Sequence, residues 1–305
     1  MCRTWVLAGV VGLGLLAQGA RADFEAGVAA YQAGDFPAAI AEWSPLADIG
    51  DAEGQFFLGI MYAEGKGVPQ SYNEAARLYR LAAEQGHAAA RYNLGVLYAN
   101  GSGVAQDYVE AARFYRLAAD QGITQAQASL AVMYDIGQGV AQDYAEAARL
   151  YRLAADQGDA GAQHNLGAMY ATGQGVPLDL TETVRFYRLA ADQGYVHSQF
   201  SLGIMYAEGV GIGQDYAEAA RHFRLAADQG DALAQNNLGL LYANGQGVSQ
   251  DYVTAHMWAN LAAANGFDKA PALRDSLAAT LTPADLSEAQ RRARECLASN
   301  YTRCD

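Results

Sequence analysis

A glycine that returns every 36 residues constrains this chain more than any other feature of its sequence. This glycine is the second residue of a Gln-Gly or similar pair, and its copies keep the same 36-residue spacing along the chain. A period of this length is the signature of a stacked repeat protein, in which no unit can bury its apolar face without its neighbours. We call the residues that share one phase a column; a residue that breaks its column is a candidate for function. The phased glycines are Gly50, Gly86, Gly122, Gly158, Gly194, Gly230 and Gly266.

Each unit is predicted to be two antiparallel helices, and residues 87–122 give the clearest copy. Helix A is expected from Ala88 to Ala99, with Leu94, Gly95 and Tyr98 on one side because they are spaced by three and four residues. The missing side chain at Gly95 would let a neighbouring helix approach closely.

A Gly-x-Gly-Val loop at 101–104 separates the two helices. Its first glycine suits a left-handed helix cap. Asp107 then opens helix B, and Glu110 lies three residues later, which is the spacing of a capping box. Helix B carries small residues with one large aromatic, Tyr115, and ends at Gly122.

The sequence divides into four segments by this logic. Residues 1–22 are expected to be a signal peptide and 23–50 an N-terminal helical cap. Six repeats fill 51–266, and 267–305 form a C-terminal helical cap and tail. Caps are needed because a stack of repeats must hide its terminal faces.

The predicted signal peptide follows from its composition. Arg3 precedes an apolar stretch at 6–16, and Ala20 and Ala22 place small residues before Asp23, so cleavage is expected after Ala22. The apolar stretch is too short for a comfortable membrane span, and no second one follows. We therefore expect a periplasmic or secreted protein with no membrane span.

The net charge argues against two classes of partner. The chain has a formal net charge of −13, and without the signal segment 18 basic residues face 33 acidic ones. A chain this acidic is not expected to bind nucleic acid or an anionic membrane.

The unit closely resembles the Sel-1-like repeat (SLR), a longer relative of the tetratricopeptide repeat. The matching residues are Leu94, Gly95, Tyr98, Gly101, Gly103, Val104, Asp107, Ala111, Ala112, Tyr115, Ala118, Ala119, Gln121 and Gly122. The resemblance implies an all-α solenoid of six 36-residue helix-turn-helix repeats with helical caps. It also implies a protein that binds other proteins and usually has no chemistry of its own.

Motifs for catalysis or cofactor binding are not evident. The Gly-x-Gly loops recur six times without a preceding strand, unlike a nucleotide-binding loop. No Gly-x-Ser-x-Gly elbow exists, and neither Lys66 nor Lys269 has a serine three residues before it. A β-lactam-binding branch of the family carries a cysteine pair in each repeat, which this chain lacks. We expect no cofactor and no enzyme activity.

The five histidines are interpreted as polar surface residues rather than metal ligands. A zinc site needs three or four convergent ligands, and only His164 and His197, on helix A of adjacent repeats, form a plausible pair. The remaining histidines are His87, His222 and His256. No metal site is predicted.

Three columns on helix A vary while the leucine, glycine and tyrosine between them do not, so they are the predicted partner site. Alignment with the tetratricopeptide pattern places them on the concave face. Exposed aromatics there would anchor an interface, and asparagines would hold a peptide backbone; packing between neighbouring A helices is the alternative. The candidate residues are Glu53, Phe56, Tyr92, Asn93, His164, Asn165, His197, Phe200, Asn236 and Asn237.

Two further features complete the predictions. The helix-B arginines, such as Arg77 and Arg80, are interpreted as a solvated face, with an anion-binding track as the alternative. Cys296 and Cys304 are the cysteines that remain after cleavage, and they are expected to form a disulfide that clips the tail.

The function favoured by these observations is an exported, non-enzymatic scaffold that binds a protein or peptide of unknown identity through its groove. By family resemblance it would regulate an envelope sensor or an assembly complex. An envelope hydrolase or β-lactam-binding enzyme, and a secreted host-facing binding protein, are the alternatives.

Overall fold

A computed structural model of the protein describes residues 18–304. Those residues form sixteen α-helices and no strand, which confirms the predicted all-α class. They divide into two compact units: unit 1 ends at Gln157 and unit 2 begins at Gly158. The helices of unit 1 are α1 Gln18–Gln32, α2 Phe36–Asp48, α3 Ala52–Glu64, α4 Tyr72–Glu84, α5 Ala88–Asn100, α6 Tyr108–Ala119, α7 Thr124–Ile136 and α8 Tyr144–Asp156. Those of unit 2 are α9 Ala160–Thr172, α10 Leu180–Asp192, α11 Val196–Glu208, α12 Tyr216–Ala227, α13 Ala232–Asn244, α14 Tyr252–Ala264, α15 Ala270–Ala278 and α16 Pro283–Ala298.

The glycine inside helix A lies directly against the large aromatic of helix B. A Cβ atom placed on Gly95 would be 2.7 Å from the Tyr115 ring, and one on Gly203 would be 2.5 Å from the Phe223 ring. No side chain fits at that distance, so the predicted close approach between the two helices is present. In repeat 3 the position is Ala131, which is fully buried.

The second loop glycine is required by contact between successive repeats. Gly103 has φ 69°, and a Cβ on it would be 2.2 Å from the carbonyl carbon of Tyr72, the first residue of helix B in the preceding repeat. Both the backbone angle and the space therefore demand glycine. The Gly-x-Gly loop is a packing device between repeats.

The predicted capping box forms only in part. Asp107 accepts hydrogen bonds from the backbone amides of Val109 and Glu110 at 2.9 and 3.1 Å. The Asp107 amide, however, donates to the Tyr98 carbonyl at 3.0 Å, so Glu110 has no cap amide to bind. The Glu110 carboxylate instead pairs with Arg113 at 2.8 Å.

Buried amide side chains link the two helices within a repeat, and three of the glutamines also donate to the end of the preceding helix B. Gln127 donates to the Ala119 carbonyl at 3.3 Å and accepts from Gln157 at 2.7 Å. We call this arrangement the amide ladder. It satisfies polar groups that would be costly to bury alone. The same bond between two amide side chains joins Gln55 to Gln85, Gln163 to Gln193, Gln199 to Gln229 and Gln235 to Asn265.

A second link between repeats uses an arginine of helix B. Arg80 donates to the hydroxyl of Tyr98, on helix A of the following repeat, at 3.0 Å, and Arg188 donates to Tyr206 at 2.9 Å. Arg77, by contrast, pairs with Glu74 in its own helix at 2.9 Å. The interpretation as a solvated face thus holds for Arg77. In the Arg80 column, Arg80 and Arg188 join repeats, whereas Arg224 pairs with Asp228, four residues later, at 2.9 Å.

The N-terminal cap is the helix pair α1 and α2. Trp43 is fully buried and packs with Leu46, Met61 and Phe57, so this helix pair covers the apolar end of the first repeat. The predicted cleavage point after Ala22 falls inside α1. Residues 1–17 of the proposed signal peptide lie outside the described residues.

The C-terminal cap consists of α15 and α16, followed by a disulfide between Cys296 and Cys304. The pairing agrees with the prediction, but the loop it closes does more than clip a tail. Tyr301 donates from its hydroxyl to Asn265 at 2.8 Å, and Cys304 is buried in the core of unit 2. The tail thus covers the last rung of the amide ladder.

Candidate functional site

The predicted aromatic anchors of unit 1 are core residues. Phe56 is fully buried, lies 5.9 Å from the Tyr79 ring, and is stacked under His87 at 4.4 Å. Tyr92 is 9% exposed and lies 5.6 Å from the Tyr115 ring. The expectation that these two rings line an open groove is wrong, because each packs onto the large aromatic of its own helix pair.

Two polar candidates of unit 1 are also engaged. Asn93 is fully buried, so its amide is closed to solvent. It therefore cannot hold the backbone of a bound peptide. Glu53 remains partly exposed and pairs with His87 at 3.3 Å.

The same column is more open in unit 2. His164 and Phe200 are half-buried, and each contacts the helix-B aromatic beneath it. The His164 ring lies 5.2 Å from Tyr187, and the Phe200 ring lies 5.9 Å from Phe223. Both side chains therefore combine a packed face with a solvent face.

His164 belongs to a cluster with Tyr195 and His197, which we call the His164 patch. The His164 ring lies 5.2 Å from Tyr195 and 6.1 Å from His197, and Tyr195 meets His197 edge to face at 5.6 Å. His197 is exposed and Tyr195 half-buried. Nδ1 of His164 lies 2.9 Å from the hydroxyl oxygen of buried Ser198.

The electrostatics of the patch favour a neutral imidazole. Burial, followed by the nearby His197, lowers the pKa of His164 to about 4. Burial also raises the pKa of the Tyr195 hydroxyl. At neutral pH His164 and Tyr195 therefore offer two aromatic faces and neutral hydrogen-bonding groups, which is chemistry suited to protein recognition.

The asparagine candidates of unit 2 stand beside this surface. Asn165 and Asn236 are half-buried, and Asn237 donates to the Leu233 carbonyl of its own helix at 3.0 Å. Leu233 occupies the position of His197 in the next repeat, and it is 42% exposed. Sequence reasoning missed Tyr195, although the chain carried a signal: it replaces the aspartate that caps helix A in the flanking repeats.

The structure corrects the interpretation of two other histidines. His222 and His256 are 4% and 2% exposed, so they are interior rather than surface residues. Burial followed by Arg221 lowers the pKa of His222 to about 4, and burial followed by Arg274 lowers the pKa of His256. Among the described residues, no three His, Cys, Asp or Glu side chains converge to hold a metal ion.

The profile of the Sel1 repeat matches six consecutive segments that together span most of the chain: 52–87, 88–123, 124–159, 160–195, 196–231 and 232–267. The chain belongs to the Sel1 repeat family. The resemblance inferred from the phased glycines is thereby confirmed. No curated protein matches the sequence.

Two solved Sel1 repeat structures are similar to this one. A protective antigen present in uropathogenic Escherichia coli strains, with an SLR fold, is 37% identical and has a TM-score of 0.76; the match covers 84% of this chain and 56% of the antigen. A Sel1 repeat protein from Oxalobacter formigenes is 30% identical with a TM-score of 0.70, covering 79% of this chain and 96% of its own. This chain thus spans little more than half the length of the antigen.

The described helices include none that is both long and apolar enough to cross a bilayer. Family membership points to protein partners, and the helix-A surface of unit 2 offers exposed side chains that differ from repeat to repeat.

Proposed function

We propose that this Sel1 repeat protein is an exported, non-enzymatic adaptor that binds a protein partner through the helix-A surface of unit 2. The binding surface would be centred on the His164 patch and extend to Phe200, Leu233 and the neighbouring asparagines. Its role would be to regulate an envelope sensor or to support an assembly complex.

One observation carries this proposal. In the His164 patch, three columns that vary among the repeats meet at one place, where His197 is exposed and Tyr195 is half-buried. Aromatic side chains with one packed and one open face are the usual anchors of protein interfaces. Leu166, on the packing side of the same helix, is by contrast fully buried.

A site-specific crosslinking experiment tests the proposal. A photoreactive phenylalanine analogue would replace His197 in cells of the source organism, and a matched variant would carry it at Val109, which is 64% exposed at the start of α6. We expect one discrete adduct from position 197 and none from position 109. The captured protein, once purified, should bind His164→Ala at least about tenfold more weakly than the parent chain. Equal adducts at both positions, or equal affinities, would contradict the proposal.

Export is tested separately. We expect the mature protein isolated from its native cells to begin at Asp23 and to appear in the periplasm or the medium. Intact residues 1–22 on a cytoplasmic protein would refute that part of the proposal and leave the binding surface untouched.

The second candidate is a host-facing extracellular binding protein, which the similarity to a protein described as a protective antigen favours. Cell fractionation decides between the envelope adaptor and the host-facing protein, because a host-facing role requires the protein to be in the medium or on the cell surface. An envelope hydrolase remains the competing enzyme hypothesis, and a screen for turnover of β-lactam and peptidoglycan substrates by the purified chain tests it.

A further inference from the structure

Arg91 breaks a column that is otherwise glutamine. The other members are Gln55, Gln127, Gln163, Gln199 and Gln235. Each of them accepts a hydrogen bond from an amide side chain in the amide ladder. A guanidinium has no acceptor, so this bond is missing from repeat 2.

The hydrogen bond from Arg91 to the backbone does not explain why arginine replaces glutamine at this position. Its Nε donates to the Ala83 carbonyl at 3.1 Å. Gln127 and Gln199 donate to the corresponding carbonyls, of Ala119 and Ala191, at 3.3 and 3.2 Å. A glutamine at 91 would make the same bond and would also accept from Gln121. The hydrogen bonds of the fold therefore do not require the guanidinium group of Arg91.

The head of Arg91 opens into a cleft between α4, α5 and α6 with a volume of about 460 Å³. Arg80 and Arg113 also line this cleft. Arg113 lies over the buried Phe114 ring at 4.0 Å, and the Tyr98 ring, stacked on Phe114 at 5.7 Å, gives the cleft its apolar side. We call it the Arg91 cleft. It lies wholly within unit 1 and does not include the His164 patch.

The charges in the cleft are unbalanced. Glu110 is held by Arg113 at 2.8 Å. Arg80 binds the neutral Tyr98 hydroxyl, and neither Arg80 nor Arg91 has a carboxylate within 4 Å anywhere in the described chain. Glu84 stands at the rim, so three guanidiniums face two carboxylates in a protein of net charge −13.

We propose that the Arg91 cleft binds a carboxylate of an acidic peptide segment, with an apolar side chain of that segment against the half-buried Tyr98 ring. Arginine presents planar donors that match a carboxylate in bidentate geometry. A cleft of this volume holds one or two side chains. The proposal is independent of the helix-A surface, and either can fail alone.

The charge of the whole protein selects a peptide over other anionic partners. A nucleic acid or an anionic membrane presents many charges at once, and the acidic surface around this local site would repel them. A short segment with one or two carboxylates meets only the cleft itself.

The test uses the full mature chain labelled with ¹⁵N and follows the Nε–Hε signals of Arg80 and Arg91. The probes are acetyl-Leu-Glu-Leu-amide, its matched Gln peptide and inorganic phosphate. We expect the Glu peptide to shift both signals saturably and more tightly than either other probe. No saturable shift, or equal binding of the Gln peptide, would overturn the proposal. Equal binding of phosphate would mean an anion site without peptide recognition, and would overturn the peptide assignment.

Variants isolate the guanidinium. Arg91→Gln restores the glutamine of the other repeats, so we expect an unchanged or higher melting temperature and an affinity for the Glu peptide at least about tenfold weaker. Arg149→Gln removes the same charge from an ion pair in repeat 3 and should bind like the parent. Should Arg91→Gln fail to fold, Arg91→Lys provides the readout, with weakened binding because the planar fork is lost. Parent-like binding by the folded Arg91 variant would refute the proposal.

Discussion

The residue that begins a repeat lies beside helix A of the repeat before it. In unit 1 this residue covers that helix, whereas in unit 2 the residue at the same position leaves it partly open. His87 stacks on Phe56 at 4.4 Å, and Ile123, one repeat later in the same column, is buried. In unit 2 that column holds Tyr195, which is half-buried and lies beside a half-buried His164. One backbone position thus serves packing in one unit and is available for recognition in the other.

The difference teaches that exposure in this fold is decided at the junction of two repeats. The four ring side chains of the Phe56 column each contact the helix-B aromatic beneath them, as Phe56 does Tyr79 and Phe200 does Phe223. The other face of each ring is covered or open according to the residue that begins the next repeat. Four predictions examine that contrast, from the largest expected effect to the smallest.

Truncation of the column should cost more stability in unit 1 than in unit 2. We expect Phe56→Ala to lower the free energy of unfolding by about 3–5 kcal/mol, because a fully buried ring leaves a cavity. Phe200→Ala, at a half-buried ring, should cost about 1–2 kcal/mol. Urea titrations of both variants measure the difference, and equal losses would remove the distinction between the two columns.

Unit 2 should also depend on its terminal disulfide. Replacing Cys296 and Cys304 by serine should cost about 2–3 kcal/mol, because the short loop is no longer closed in the unfolded chain. We expect faster hydrogen exchange in α13 and α14, since Tyr301 loses its anchor above Asn265. Exchange in α3–α6 of unit 1 serves as the control and should not change. Uniform acceleration across both units would contradict the assignment.

Acid should weaken unit 2 through its buried histidines. The pKa values of His164 and His222 are lowered to about 4 in the folded chain, against about 6.5 when unfolded. Below pH 6.5 the unfolded state binds protons that the folded state does not, so stability falls as the pH drops from about 6.5 to 4 and then levels off.

A matched variant is available for this pH dependence. His222 stacks on Tyr206 at 5.5 Å, as Phe186 stacks on Tyr170 at 5.9 Å in the preceding repeat. His222→Phe should therefore keep the contact and flatten the loss of melting temperature between pH 7 and pH 4.5. An unchanged pH profile would show that His222 does not contribute.

The regular parts of this fold could be predicted from the sequence because they depend on contacts at a fixed spacing. Gly95 and Tyr115 recur together, so their contact follows from the period. The burial of Phe56 could not be predicted in this way, because it depends on His87 and on Phe57 and Trp43 around the N-terminal cap. The incomplete capping box has a different cause: in every repeat the amide of the cap residue is already bonded to a carbonyl of helix A, as Asp107 is to Tyr98.

The candidate site was predicted less well than the fold. The rule that column-breaking residues carry function points to Tyr195 and Arg91, but both lie outside the helix-A columns first selected. His164 and His197 were selected, and they do come together. Spacing alone could not separate them from Phe56 and Tyr92, because exposure is set by side chains from the next repeat.

The smallest effect concerns the helix cap that Tyr195 replaces. Asp159 and Asp231 cap their helices at 2.7 Å, while neither Tyr195 nor Ile123 makes a side-chain cap bond. We expect Tyr195→Asp to raise the free energy of unfolding by about 0.5–1 kcal/mol, the usual value of such a cap. Its half-open ring gives up little packing, and the gain in stability should accompany weaker partner binding.

The same change in unit 1 should have the opposite sign. Ile123 is 9% exposed, so Ile123→Asp gains a cap but loses buried apolar surface and brings a carboxylate into a packed site. Thermal unfolding of the two variants compares them directly. If both aspartates stabilise equally, position 123 is as open as position 195, and the contrast between the two helix-A surfaces fails. If both destabilise, Tyr195 is part of the core of unit 2, and the partner surface must be sought away from the His164 patch.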